Sequence, residues 1–274
     1  MTKNFSKRML VAVTGLIVLL SACKKDKADD NPAPAPAKKL VRVEENANSY
    51  LNFEYNSDGT LKKVVVALDE EDGPSVKVLT LAYGENKKIS RIDTEEGFHI
   101  NYRYEDGNLM STEVKDAQNQ TISASAFAYE NGRLVNFGEF YPFPAEDGSD
   151  IITHKRVREM KYTYHADGNI RTVTTSLLNP LTDQLEKAGS RVYDSYDGKK
   201  NPIASQKEFS LGFFQEFSSA NIINEKVFDG DGAMEETIER TYTYDANGFP
   251  LTSVEKTTPA GQPAQTKNFK FIYN

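Results

Sequence analysis

One short pattern returns along most of this chain and limits what it can fold into. It consists of an apolar residue, one spacer, a tyrosine, a brief Asn/Asp/Gly segment, and an apolar residue that opens the next stretch. It reads Phe53-Glu-Tyr55 to Gly59-Thr-Leu61, Tyr102-Arg-Tyr104 to Gly107-Asn-Leu109, and Phe127-Ala-Tyr129 to Gly132-Arg-Leu134. It recurs as Tyr162-Thr-Tyr164 to Gly168-Asn-Ile170 and Tyr242-Thr-Tyr244 to Gly248-Phe249. Looser copies lie at Leu81-Ala-Tyr83-Gly84 and Tyr196-Asp197-Gly198, and Phe271-Ile-Tyr273 is a half-copy. Residues two apart in a strand share a face, so the apolar residue and the tyrosine form one buried stripe. Asp-Gly and Asn-Gly supply the positive φ angles of tight hairpin turns. Each copy therefore reads as a β-hairpin.

Polar segments such as 69–73, 116–119 and 259–263 supply the turns at the opposite ends, so successive strands run up and down. Counting both sets gives about sixteen strands between Leu40 and Tyr273. An open sheet rarely exceeds about ten strands before it curls or closes. The expected fold is all-β: an antiparallel meander curled or closed into a barrel, with residues 39–274 as one domain. The faces opposite the tyrosines carry Glu54, Arg103, Lys161, Thr163, Thr243 and Lys270, which are unfavourable against lipid, so the barrel is expected to be water-soluble.

Two stretches break the rhythm. Residues 140–144 read as a proline-bearing aromatic loop. Asn201-Pro202 opens an aromatic insert near 202–218, in which Phe209, Phe213 and Phe217 fit one face of a short helix that Gly212 weakens. This insert holds too much apolar surface to hang in water, so it is expected to pack into or across the sheet as a plug. Residues 180–187 read as a long hairpin tip.

Residues 1–22 read as an export signal, with Lys3, Lys7 and Arg8 ahead of an apolar run from Met9 to Leu20. The run is shorter than the roughly 20 residues a spanning helix needs. Leu20-Ser21-Ala22-Cys23 resembles a bacterial lipobox, which would make Cys23 the lipidated first residue of the mature chain. It is the only cysteine among 274 residues, which leaves no material for a disulfide framework. Residues 23–38 form a polar and Pro/Ala-rich tether. The net charge is −7, and the leader carries three basic and no acidic residues, so the mature side chains sum to −10. That balance argues against nucleic acid as a partner.

The Tyr-Asp-x-x-Gly element at Tyr244 to Gly248 is similar to the YD repeat of Rhs-type proteins. Together with the lipobox, the irregular spacing and the Asn201-Pro202-Ile203 insert, the chain resembles an uncharacterised Bacteroidota lipoprotein family with a porin-like β-barrel fold. The resemblance implies a large closed meander and an outer-membrane lipoprotein, on its periplasmic or surface-exposed face. It transfers no activity to particular residues. The spacing between repeat tyrosines, from 21 to 48 residues, departs from the Rhs pattern and argues against an enclosed cargo.

Candidate chemistry is sparse. His99 and His165 read as wet surface residues. Asp229-Gly-Asp231-Gly232 resembles a calcium loop, but Ala233 stands at the third acidic position, so it reads as a turn. Ser253-x-x-Lys256 falls on a strand, without companion motifs. No catalytic, metal or cofactor-binding set emerges. Counting back by two from Tyr162 and Tyr164 gives Met160, Arg158, Arg156 and His154, and Arg240 similarly precedes Tyr242. These arginines either reach water at a barrel rim or join the tyrosines in a concave ligand site. The functional expectation is a non-enzymatic, membrane-anchored envelope protein that binds a ligand, with an oligosaccharide preferred. The alternatives are a structural or accessory subunit working with an envelope protein partner, and, behind both, a hydrolase.

Overall fold

The Tyr-to-Gly segments form the turns at one end of the molecule. Asp106 and Gly107, and likewise Asn131 and Gly132, all have positive φ, the geometry of a two-residue hairpin turn. In the longer copies only the glycine is left-handed, at Gly59, Gly168 and Gly248. The Gly168 amide there bonds the His165 carbonyl at 3.0 Å. The structure, a computed structural model, describes residues 38–70, 73–144, 152–202, 206–214 and 218–274. The leader, Cys23 and the tether up to residue 37, together with Glu71 and Asp72 of the acidic tip and Phe217 of the insert, lie outside the described residues.

Sixteen strands close into one antiparallel barrel. They are β1 (Leu40–Glu44), β2 (Tyr50–Tyr55), β3 (Leu61–Glu70), β4 (Gly73–Tyr83), β5 (Ile89–Thr94), β6 (His99–Glu105), β7 (Asn108–Lys115) and β8 (Thr121–Glu130). The second half comprises β9 (Arg133–Pro144), β10 (Ile152–Tyr164), β11 (Ile170–Asn179), β12 (Gln184–Lys200), β13 (Ala220–Asp229), β14 (Met234–Tyr244), β15 (Pro250–Pro259) and β16 (Gln265–Tyr273). Each strand pairs with its neighbours in sequence, and β1 closes the ring against β16 through Leu40 opposite Tyr273 and Val43 opposite Phe271. The hairpin tip expected over 180–187 is confined to 180–183; from Gln184 to Lys187 the chain is already β12, paired with β11 through Leu178 opposite Leu185 and Ser176 opposite Lys187. The end bearing the Tyr-Gly turns is called here the near rim, and the other the far rim.

Eight similar units make up the ring, each an outgoing and a returning strand. At the start of outgoing strands the register slips; Tyr55 faces Leu61 while Glu54 faces Lys63. The slip is a β-bulge, which lets residues three apart point to the same side. Buried pairs follow at Leu40/Val43, Leu61/Val64, Ile89/Ile92, Leu109/Thr112, Leu134/Phe137, Ile170/Val173, Ile222/Glu225 and Pro250/Ser253. Each large apolar member contributes roughly 1.5–3 kcal/mol of burial.

A tyrosine then ties the near end of its unit together. The hydroxyls of Tyr55, Tyr164, Tyr196, Tyr242 and Tyr273 donate to the carbonyls of Leu40, Leu134, Ile170, Ile222 and Pro250. Each acceptor is the first residue of a bulge pair on the partner strand. Burial pushes the phenols of Tyr55, Tyr242 and Tyr273 up, and those of Tyr83 and Tyr164 to about 12.

A circular barrel of sixteen strands would leave a water-filled lumen. Instead one hydrophobic cluster runs from Leu40 and Val43 of β1 round to Phe269 and Phe271 of β16, with Leu61, Val64 and Ile92 fully buried. The insert adds to this filling. Its helix, α1 (Lys207–Phe214), packs Phe209 and Leu211 at 0% and 4% exposure. Gly212 meets the Tyr102 ring so closely that a Cβ there would overlap it. The described part of the insert thus packs against the barrel through Phe209 and Leu211 rather than hanging in water. Its exit into β13 is clamped by side chains: Asn169 Oδ1 accepts from Ser219 N and Oγ and from Ala220 N, and Asp197 accepts from Asn221 N. Ser218 Oγ accepts from the Ile170 amide at 3.2 Å.

Two expectations need correction. Residues 140–144 are not a loop but the end of β9, paired with β10 through His154 opposite Pro142. Pro142 is tolerated because β8 stops pairing at Ala124 opposite Phe140, leaving that side of β9 a free edge. Neither His99 nor His165 is a wet residue: both are half-buried, with His99 Nδ1 2.7 Å from Asp93 Oδ1 and His165 Nε2 2.7 Å from the Tyr193 carbonyl. On the outer wall, Glu54, Arg103, Lys161, Thr163, Thr243 and Lys270 are all exposed. Charge stands where a lipid-facing wall needs an apolar band.

Candidate functional site

The inner wall is uneven in character. From β1 to β5 it is aliphatic, with Val43, Leu51, Val64, Leu79 and Ile92 buried. Across β12 to β15 it holds a ladder of charge. Arg240 on β14 is 4% exposed, with Nε 2.8 Å from Glu255 Oε2 and Nη1 3.0 Å from Glu225 Oε2. Glu225, 1% exposed on β13, also takes Arg191 Nη1 of β12 at 2.8 Å. Glu236 lies along the same strand face as Arg240; burial pushes its carboxyl up, and Glu225 nearby adds to the rise. The two glutamates hold the Arg240 guanidinium charged against its burial.

A second cluster sits on β9 and β10. Arg158 Nε lies 2.9 Å from Glu139 Oε2, and its guanidinium stands 5.2 Å from the Phe137 ring centre. The Tyr141 hydroxyl donates to Glu139 Oε1 at 3.3 Å.

The structure places the six expected ligand-binding residues as follows. Arg158, Tyr162, Tyr164, Arg240 and Tyr242 do turn inward with the aromatic face. Arg156 does not, because the register slips between Arg156 and Arg158. That bulge turns Arg156 to the outer wall, where it pairs with Glu159 at 2.7 Å and lies 5.2 Å from the Phe140 ring centre. Counting by two is valid only within an unbroken ladder. Nor do Arg158 and Arg240 reach water at a rim, since both are buried. They belong to separate clusters, on β10 and β14, and each already faces carboxylates of its own wall. An incoming carboxylate or phosphate would have to displace Glu139, Glu225 or Glu255. Tyr162 donates to Met160 Sδ at 3.7 Å, while Tyr164 and Tyr242 close their own hairpins.

The glutamates of the ladder escaped the sequence reading. Glu225 and Glu255 look like ordinary surface charges on amphipathic strands. Only the recurrent spacing of three after a strand start, Ile222 to Glu225 or Leu61 to Val64, marks Glu225 as inward-facing. Of the remaining candidates, Asp229 accepts from the Ala233 amide at 2.8 Å, as in a hairpin turn. Ser253 is buried while Lys256 is exposed, on opposite faces of β15.

No protein-family model matches this chain, and no curated protein matches it. Solved structures do. In fold, the chain resembles Bacteroides porin-like proteins. One, from Bacteroides uniformis, superposes with a TM-score of 0.54 at 15% identity, covering 89% of this chain and 100% of its own. Another, from Bacteroides vulgatus, gives 0.51 at 12% identity, covering 87% and 99%. A protein of unknown function from Bacteroides fragilis, at 0.37 and 14% identity over 57% of this chain and 95% of its own, is too distant to carry an argument. The porin-like barrel expected from the repeats is therefore present. At these identities the likeness concerns the fold alone.

Proposed function

We propose that this protein is a lipid-anchored module of the cell envelope, tethered to the outer membrane through Cys23, which acts as an accessory subunit by presenting its far-rim hairpins to a protein partner. The observation that carries this reading is the opposition of the two rims. The described chain enters at the near rim, where Lys38 Nζ pairs with Asp245 Oδ2 of the β14–β15 turn at 2.6 Å. The tether from Cys23 to Lys38 reaches about 50 Å when extended. On the far rim, Leu181 at the β11–β12 tip is 93% exposed, with Ile152 at 64% and Met234 at 47% exposed on adjacent strand ends. Such apolar tips are suited to burial against a second protein.

The oligosaccharide reading built on Arg156, Arg158 and Arg240 loses support, because one of these residues faces out and the other two are matched by glutamates. Two measurements test the proposal. Radiolabelled palmitate should enter the wild-type protein and be lost in Cys23→Ala, together with the membrane-bound fraction. A photo-crosslinking residue at position 181 should trap a partner in cells, whereas one at wall position 161 should not. Equal trapping at both positions, or at neither, would remove the far-rim role.

A further inference from the structure

Charge is distributed unevenly between the two ends of the barrel. Among the described residues, the far-rim turns at 45–49, 95–98, 116–120, 180–183, 230–233 and 260–264 hold six acidic residues and no lysine or arginine. The near-rim connections instead mix acids such as Asp58, Glu85 and Asp167 with Lys87, Lys88 and Lys207. The exposed apolar residues of the far rim stand within its acidic end, on three successive hairpins. Lys155 of β10 reaches both carboxylate oxygens of Asp183 at 3.1 Å, which holds the tip bearing Leu181 against the strand that begins at Ile152. On the other side the β13–β14 turn lies against β12, with Gly230 so near the Lys187 carbonyl that a Cβ would overlap it. Beyond this turn Met234 stands between Asp231 and Glu235, all three exposed. Among the described residues, no cation pairs with either of these two acids.

We infer that these three hairpins dock a basic face of the partner protein, in which lysines and arginines surround an apolar hollow that receives Leu181. The far-rim role proposed above is the premise, and the chemistry of the partner is what is added to it. Leu181 supplies the apolar anchor, while Asp183, Asp231 and Glu235 supply a polar rim, the arrangement common to protein interfaces. Carboxylates around an anchor speed the approach of a positive surface and oppose that of a negative one. The same charge excludes other occupants. A second copy of this chain brings an equally acidic far rim, and nucleic acids and anionic lipid headgroups are repelled in the same way. The free edge of β9 does not invite an added strand, because Pro142 and Pro144 have no N–H to offer one. The partner is therefore held by side chains, its cations against the carboxylates and its apolar hollow over the leucine.

The test uses the full chain in cells, with an apolar photo-crosslinking residue at position 181, and identifies the trapped peptide of the partner by mass spectrometry. Three backgrounds are compared: the wild type, Asp231→Lys with Glu235→Lys, and Glu54→Lys with Glu130→Lys. The two variants change the net charge equally, but Glu54 and Glu130 are exposed away from the far rim. Trapping should fall about tenfold when Asp231 and Glu235 are reversed, because charges at a contact alter association by about an order of magnitude or more. It should be unchanged when Glu54 and Glu130 are reversed. The trapped peptide should carry an excess of lysine and arginine, and changing two of these to glutamate should restore trapping by Asp231→Lys with Glu235→Lys. Circular dichroism and melting temperature should match the wild type in both variants, since all four residues are exposed. Trapping that survives reversal of Asp231 and Glu235, or a trapped peptide of net negative charge, overturns the basic partner and leaves the far-rim role standing. Equal loss in both variants also overturns it, since net charge alone then governs the contact. Absence of trapping in the wild type removes the far-rim role itself, and the basic partner with it.

Discussion

Tyr164 and Tyr104 occupy equivalent places in two of the eight units and differ in what their hydroxyls do: one ties its hairpin, and the other is buried without a hydrogen-bond partner. At the tied positions, one neutral hydrogen bond contributes about 1 kcal/mol, so Tyr196→Phe or Tyr273→Phe should cost that much in urea unfolding. Arg240 is under a stricter constraint. Replacing it with Met leaves Glu225 and Glu255 buried without their shared cation, and stability should fall by about 3–5 kcal/mol. Converting Arg240, Glu225 and Glu255 together to Met, Leu and Leu should recover most of that loss once Arg191, which also pairs with Glu225, is changed to Met as well. If this quadruple variant is no better than the single one, the ladder contributes more than matched charge. At this scale the sequence disclosed which tyrosines face inward, because alternation and turn glycines repeat together. It concealed the direction of Arg156, because a bulge changes parity with no residue type to announce it, and it concealed Glu225 for the same reason.

Among elements, α1 is the departure from the meander, and its place depends on a residue that weakens it as a helix. Gly212→Ala should gain up to about 1 kcal/mol of helix propensity yet force the new methyl into the Tyr102 ring. The net expectation is a lower melting temperature and faster protease cleavage within residues 201–219, both relieved when Tyr102→Ala is added. An unchanged cleavage rate in Gly212→Ala would show that α1 does not lean on Tyr102. The periodicity of Phe209, Phe213 and Phe217 was enough to suggest a helix and its burial. The polar clamps at its exit were not legible, since Asn169 and Asp197 also read as ordinary turn residues. The end of β9 was misread because a proline usually ends a strand, and only knowledge of which flank stays unpaired permits it.

Over the whole molecule, the tyrosines give the barrel a characteristic weakness. An unfolded tyrosine ionises near pH 10, whereas Tyr83 and Tyr164 are pushed up to about 12 by burial. A group whose folded value is raised stabilises fully below the unfolded value and loses that contribution as pH climbs through the folded one. Stability should therefore hold up to about pH 10 and fall between pH 10 and 12. In an alkaline titration, most tyrosinate absorbance should appear together with the loss of sheet circular dichroism. Gradual ionisation centred near pH 10 with the sheet intact would contradict this. The meander and its closure were legible from strand count alone, since sixteen strands leave few open alternatives. That the interior is filled was not, because it depends on how opposite walls meet.

The pairing of β1 with β16 has a consequence for how the molecule comes into being. Every other strand contact can form as soon as its neighbour emerges, as in a linear array of repeats. Such an array frays from its ends, but a ring has none, so local opening must break two seams at once. Until the last strand arrives, however, the nascent chain carries two raw edges that can pair with any passing strand. A protein of this design is durable once sealed and most vulnerable in the interval before, when something else in the cell has to keep those edges apart.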